Sequence, residues 1–263
     1  MPPDPAAEPS PKPDAPPAAE QDRIWAHAQT EEPGGFAAAK PRLDFLLKKA
    51  GAAVRGEVGS GPGGKPRVLN IGAGDGYFER TARDDGWDSH SLDPIPETVA
   101  ALDAEAGITA RAGRIQQLPH ADGTFDVVVA SEVLEHLTGE VRAAGLAEVR
   151  RVLRPGGAFL GTVPDREDLS LRRSVCPACG LVYHQYGHLA RFDAGAVRAM
   201  LTRAGFGEVR VGRSAFPALR GRGPAGLLKG LLREGLARLG EPIAVPRLHW
   251  SARVPGEPGA GAG

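Results

Sequence analysis

The segment Ser131-Glu132-Val133-Leu134-Glu135-His136-Leu137 crowds two carboxylates and an imidazole into one short stretch. If it is helical, Glu132, Glu135 and His136 stand at i, i+3 and i+4, on one face within an arc of about 100°. Val133, Leu134 and Leu137 then turn toward a core. Such a face can hold a divalent cation, or arrange His136 as a general base. The same residues also suit a plainer role, in which the acids favour a helix N-terminus and His136 orients its neighbours.

A second cluster lies further on. Cys176, Cys179, His184 and His188 follow the spacing C-x2-C-x4-H-x3-H. A Cys-x2-Cys turn is a common zinc half-site, and two histidines would complete a tetrahedral set. The alternative is a pair of reduced thiols in a turn, with the histidines serving a substrate. The two metal readings compete, because His188 could instead join Glu132, Glu135 and His136.

The third chemical signal is Val68-Leu69-Asn70-Ile71-Gly72-Ala73-Gly74-Asp75-Gly76-Tyr77-Phe78. An apolar run is followed by alternating glycines at the start of a helix. There the backbone can turn sharply, and N–H groups point toward a ligand. Asp93 follows about 20 residues later, where an acid can accept both hydroxyls of a ribose. Gly72, Gly74 and Asp93 do not by themselves distinguish a nicotinamide cofactor from adenosylmethionine.

These groups need a scaffold. From Pro41, the residues Leu43, Leu46, Leu47 and Ala50 trace a helical stripe. A Gly/Ser-rich linker over 59–64 follows. Strands are expected near 67–71, 88–92, 109–112, 125–130, 158–163, 208–212 and 248–254. Helices are expected near 77–85, 96–106, 131–136, 139–153 and 193–204. This alternation predicts an α/β fold, a seven-stranded, mostly parallel, Rossmann-like sheet with helices on both faces. Residues 1–22 and 255–263, rich in Pro, Ala and Gly, are expected to be disordered tails of a domain over 23–254. That domain would carry a Cys/His insert at 172–190 and a helical insert at 213–247.

Lysine plus arginine and aspartate plus glutamate both total 32, so no net field draws the chain to nucleic acid. Aromatic residues make up only 5%, and no basic stripe is interleaved with them, which disfavours an RNA substrate. The two cysteines and the polar start fit a reduced, cytoplasmic protein. Leu227, Leu228, Leu231, Leu232, Leu236 and Leu239 form a helical stripe, with Lys229, Arg233 and Arg238 elsewhere around the helix. It is expected to pack on the core; a substrate cover and a peripheral membrane contact are the alternatives.

The longer pattern carries a family resemblance. After the glycine turn come Leu92-Asp93, then 113–119 and 122–126, then Phe125-Asp126-Val127-Val128-Val129-Ala130, then Leu153-Arg154-Pro155-Gly156-Gly157. Over roughly 67–212 the chain resembles class I S-adenosylmethionine-dependent methyltransferases of the bacterial methyltransferase-11 and ubiquinone-pathway type. The resemblance implies S-adenosyl-L-methionine as cofactor, with Ile115 offering an N–H to the adenine and Ala130 a carbonyl to the methionine ammonium. Asn70 stands where the family usually has an acid aimed at that ammonium. Arg114 stands where an acid often meets the adenine.

The Glu132/Glu135/His136 segment, with Gly187-His188-Leu189-Ala190-Arg191-Phe192, also resembles the metal-binding elements of small-RNA 2′-O-methyltransferases and catechol O-methyltransferases. That likeness implies Mg2+ at Glu132, Glu135, His136 and His188, as the cysteine pattern implies Zn2+. The segment from Trp25 to Glu32 resembles lead-ins that close over the cofactor, and Trp25 and Phe36 could equally pin a surface segment. No Asn-Pro-Pro-Tyr-type motif follows the fourth strand, which lowers the case for nucleobase methylation. The expected reaction is O-methylation of a small metabolite or sugar hydroxyl, with His136, Glu132 and Glu135 as catalytic residues. The rival is a catalytically silent adenosylmethionine-binding module that acts through a partner.

Overall fold

The computed structural model describes residues 22–27, 36, 38–55, 59–218 and 223–256. All of the expected tails but Asp22, Pro255 and Gly256 lie outside them, as does most of the lead-in from Trp25 to Glu32.

Two faces of one sheet explain the sequence pattern. The strands are β1 (Arg67–Ile71), β2 (Asp88–Asp93), β3 (Ile108–Ala112), β4 (Phe125–Ser131), β5 (Leu153–Pro164), β8 (Gly207–Ser214) and β9 (Arg247–Arg253). They run in the order β3-β2-β1-β4-β5-β9-β8. The first five are mutually parallel, and β9 inserts antiparallel between β5 and β8. Val127, Val128, Val129 and Ala130 have no solvent exposure, as a strand covered on both faces requires. Alternate residues feed different cores: Leu69, Val128 and Phe159 pack in one, Val68, Val127 and Leu160 in the other.

The helices are α1 (22–27), α2 (Lys40–Ala53), α3 (Tyr77–Asp84), α4 (Pro96–Asp103), α5 (Gly139–Val152), α6 (Ala194–Arg203) and α7 (Pro224–Leu239). The stripe read in α2 holds: Leu46, Leu47 and Ala50 are buried beside β4 and β5. Thr138 and Asp193 cap α5 and α6, accepting from Val141 N and Ala196 N respectively.

Strand order reverses between β1 and β4, which pair from Val68↔Val127 to Ile71↔Ala130. Ligands of open parallel sheets bind beyond the carboxyl ends at this point. The glycine turn after β1 and the Glu132–His136 segment after β4 therefore emerge side by side.

Three expectations need correction. The helix expected near 131–136 is only a 3-10 turn, Leu134–His136, because β4 runs on to Ser131 and Glu132 N donates to Thr162 O. Within the Cys/His insert lies an unforeseen hairpin, β6 (Arg173–Val175) with β7 (Val182–His184). The leucine stripe of α7 does not pack on the core. That helix docks on β8 through Gly230 and Ala237, while Leu228, Leu231, Leu232 and Leu239 are exposed. Small residues allow the closer backbone approach, and Glu234 fixes it by accepting from Ser214 Oγ and Ala215 N.

Candidate active site

Gly72, Gly74 and Gly76 all have positive φ, at 87°, 57° and 75°, which a side chain would strain. A Cβ on Gly72 would also press Val133 at 3.0 Å, and one on Gly74 would press Phe36 at 3.1 Å. Asp93 braces the turn. Its Oδ2 accepts from Ala73 N and its Oδ1 from Ile95 N, each at 2.9 Å, and it is buried at the carboxyl end of β2. Ile115 and Ala130 are likewise buried, beyond β3 and in β4.

Asn70 is part of a buried network that the sequence did not reveal. Its Nδ2 donates to Glu79 Oε1 at 2.8 Å and to Gly72 O at 3.2 Å. Ser91 Oγ donates to the same Glu79 oxygen at 2.6 Å. Both partners of the amide nitrogen are acceptors here, which leaves Asn70 Oδ1 as the acceptor of the amide. That atom is buried and has no protein partner among the described residues. Glu79 is fully buried, and desolvation pushes its carboxyl up to about 7 against the pull of Ser91 and Asn70. Arg114 pairs with Asp22 of α1, so its charge is compensated within the chain.

Beyond β4 the acids part company. Glu132 has φ 57°, an unusual conformation for a residue with a side chain, and its carboxylate is engaged by Arg247. Its Oε2 accepts from Arg247 Nε at 2.8 Å. The neighbouring guanidiniums of Arg42 and Arg247 hold its carboxyl below the usual range despite desolvation. Arg42 Nε in turn donates to Ser131 Oγ at 2.9 Å.

Glu135 has no solvent exposure, and neither of its carboxylate oxygens has a hydrogen-bond partner among the described residues. Desolvation first, and Glu132 second, push it well above the ordinary range. Its backbone carbonyl accepts from both Leu189 N (2.7 Å) and Ala190 N (3.0 Å), which pins the end of the insert to the site. That anchoring delivers His188. Ligand atoms of Glu135, His136 and His188 lie within 4.8 Å of one another. Burial, then the neighbouring His188, lowers the His136 imidazole to about 3, so the ring is neutral. Its Nδ1 faces Gly187 O at 3.2 Å; a carbonyl only accepts, so the proton sits on Nδ1 and Nε2 is the basic atom. Trp25 meets the His136 ring edge-on, with centroids 5.2 Å apart.

The Cys/His set is not assembled. Cys176 and Cys179 sit at the hairpin tip, where Cys176 N bonds Leu181 O. His184 pairs with Arg173 at the other end of the ladder, three residues or about 10 Å from Cys176 along the strand. The His184 ring is already engaged, accepting from His188 N at 3.3 Å through Nδ1 and facing Glu167 Oε1 at 3.8 Å through Nε2. Glu167, absent from the sequence reading, also bonds His188 Nδ1. It stands two residues beyond Asp165 after β5, and only the end of a strand at the sheet's carboxyl edge could have marked it. Among the described residues the groups able to hold a metal are Glu135/His136/His188 and Glu167/His184/His188, with no cysteine in either. The residues expected to hold Mg2+ come together except Glu132, which Arg247 engages.

Residues 69–161, the span from the glycine turn through β5, match the family model described as a methyltransferase domain. Over that span the chain is similar to methyltransferases that use S-adenosylmethionine. It is 38% identical over 109 residues to a probable S-adenosylmethionine-dependent methyltransferase of Mycolicibacterium smegmatis, covering 41% of this chain and 42% of that protein. It is 34% identical over 116 residues to the malonyl-[acyl-carrier protein] O-methyltransferase of Serratia marcescens, covering 44% of each. The matches thus span about two fifths of the length of these curated relatives. The 1,6-didemethyltoxoflavin-N1-methyltransferase of Burkholderia thailandensis has the same fold. It superposes with a TM-score of 0.61 at 20% identity, over 92% of this chain and 93% of that one. The sheet has the seven strands predicted, and no helix among the described residues is long and apolar enough to cross a membrane.

Proposed function

We propose that this methyltransferase domain moves a methyl group from S-adenosyl-L-methionine to a hydroxyl oxygen of a small metabolite or sugar. The observation that carries the reading is His136: neutral, with Nε2 as its basic atom, beside Glu135 and His188 at the mouth of the switch point. The names of similar proteins do not choose the acceptor, since one is an O-methyltransferase and another an N1-methyltransferase.

Bound adenosylmethionine supplies an activated methyl group, and a divalent cation at Glu135, His136 and His188 would acidify an oxygen. The unpartnered carboxylate of Glu135 in a buried site fits such a cation. The chain's own residues do the rest. Asp93 takes the ribose side, Ile115 the adenine, and Asn70 Oδ1 with Ala130 O the ammonium. Gly72 and Gly74 let the backbone approach closely. His136 Nε2 accepts the hydroxyl proton, while Nδ1 stays bonded to Gly187 O, and Trp25 covers the ring against water.

Calorimetry with adenosylmethionine, adenosylhomocysteine and NAD tests the cofactor; binding of NAD alone overturns the assignment. Labelled methyl transfer to panels of hydroxylated and aminated acceptors tests the chemistry. Turnover confined to amines removes the oxygen reading.

A further inference from the structure

An amphipathic helix normally buries its large apolar side chains; α7 does the opposite. The residues at its interface with β8 are Gly230, Ala237 and the inward-turned Glu234. Its leucines face out: Leu228, Leu232 and Leu239 are each at least 60% exposed, and Leu231 is 52% exposed. At about 100° per residue, Leu228, Leu232, Gly235 and Leu239 form one continuous stripe flanked by Leu231 and Leu236. Just past the helix, Ile243 and Val245 add further exposed apolar surface. Leaving this contiguous surface in water is unfavourable, and patches of this kind mark docking sites.

The charges around the stripe choose the occupant. Lys229 borders it on one side and Arg238 on the other. The one acid of the helix, Glu234, is turned onto Ser214, Ala215 and Arg238. The outward half of α7 thus presents leucine, glycine and the long-stemmed Lys229 and Arg238, of which Arg238 is also paired with Glu234 at 3.0 Å. A second copy docked by a twofold axis would bring like charges together along both rims. A surface of anionic lipid headgroups would instead meet the cations while the leucines enter the acyl boundary.

We propose that α7 docks this protein, by its leucine face, on anionic membrane surfaces. The helix ends at the site. Gly240 O accepts from Arg166, which pairs with Asp165, and the next residue, Glu167, bonds His188. Docking through α7 therefore brings the carboxyl ends of β5 and β8 close to the lipid surface. The docking stands independently of the reaction proposed above.

The test uses the full chain with vesicles of phosphatidylcholine, alone or with about one third phosphatidylglycerol. The protein is expected to co-sediment with the anionic vesicles and at least tenfold less with the neutral ones, a preference that high salt removes. Leu228→Ser/Leu232→Ser/Leu239→Ser should lower the partition coefficient at least about tenfold, with an unchanged melt because these side chains are exposed. Lys229→Gln/Arg238→Gln should weaken anionic binding and leave neutral binding as it was. A Leu232→Trp reporter should shift its emission to the blue on adding anionic vesicles. Absence of sedimentation and of the shift overturns the proposal. So does a concentration-dependent dimer that the triple serine variant dissolves, which would assign the face to a second copy.

Discussion

Asn70 and Glu79 share a buried hydrogen bond of 2.8 Å, so an acid from α3 stands against the amide near the end of β1. The amide nitrogen is committed to Glu79 and to Gly72 O, and its buried oxygen is left without a protein partner among the described residues. A carboxylate one bond removed can still polarise that oxygen toward a cation.

Glu79→Gln keeps the shape and removes the charge. Adenosylmethionine should bind the variant about tenfold more weakly than the parent at pH 8, where Glu79 is ionised, and equally at pH 6. Calorimetry at both pH values checks this. Stability moves the other way. Glu79 titrates near 4.5 when unfolded and about 7 when folded, so the native state holds the extra proton between them. Parent stability should therefore fall as pH rises from about 4.5 through 7, by up to about 3 kcal/mol. Urea melts of the Gln variant should lack that fall.

His136→Ala should lower turnover by about 10² to 10⁴ while leaving adenosylmethionine affinity within about twofold. Because burial holds the imidazole near 3, the acid limb of the rate profile should show no inflection at the ordinary histidine value of 6.5. A variant with full turnover would leave His136 as a structural residue.

Divalent cations should bind with an affinity that drops at least about tenfold in Glu135→Gln and in His188→Ala. Cys176→Ser should leave it unchanged, since the hairpin holds that residue about 10 Å along the strand from His184. Titrating Mg2+, Mn2+ and Zn2+ separately into metal-stripped protein measures this. Loss of binding only in the cysteine variant would restore the zinc reading.

Legibility followed the range of the forces involved. The strands and α2 were readable because burial is periodic: Val127 to Ala130, or Leu46, Leu47 and Ala50, declare their neighbours locally. The glycine turn and Asp93 were readable because their backbone demands are local too. What failed depended on distant partners. Glu132 was placed on a helix face because nothing nearby signals Arg247, 115 residues away, or the Thr162 carbonyl that extends the strand. The zinc spacing was misleading because a hairpin of three paired positions separates its ends. The spacing of the α7 leucines predicts a stripe but not its outward placement, since periodicity cannot say which face meets the sheet.

Trp25→Ala should open the site from the α1 side. The edge-on contact with His136 is worth about 0.5–1.5 kcal/mol, so acceptor KM should rise several-fold while turnover at saturation changes less. Steady-state kinetics with both substrates separate the two effects. An equal loss in kcat would instead mean that Trp25 sets the orientation of His136.

Glu132 adopts φ 57° to reach Arg247, and that strain of about 1–3 kcal/mol must be offset by the ion pair and the strand bond it allows. Glu132→Gln leaves Arg42 and Arg247 facing a neutral amide and should destabilise the fold by about 1–3 kcal/mol; partial exposure of Arg247 limits the figure. Arg247→Met alone should cost a similar amount, because Glu132 is then left beside the buried Glu135. The double variant should cost less than the sum, giving a coupling of about 1 kcal/mol or more. Since the paired Glu132 titrates below its unfolded value, the stabilisation is present above that unfolded value. It should be lost as pH falls through the folded one. Thermal melts of the four proteins at pH 7 and at pH 4 measure both; additive costs at pH 7 would mean the pair contributes nothing to offset the strain.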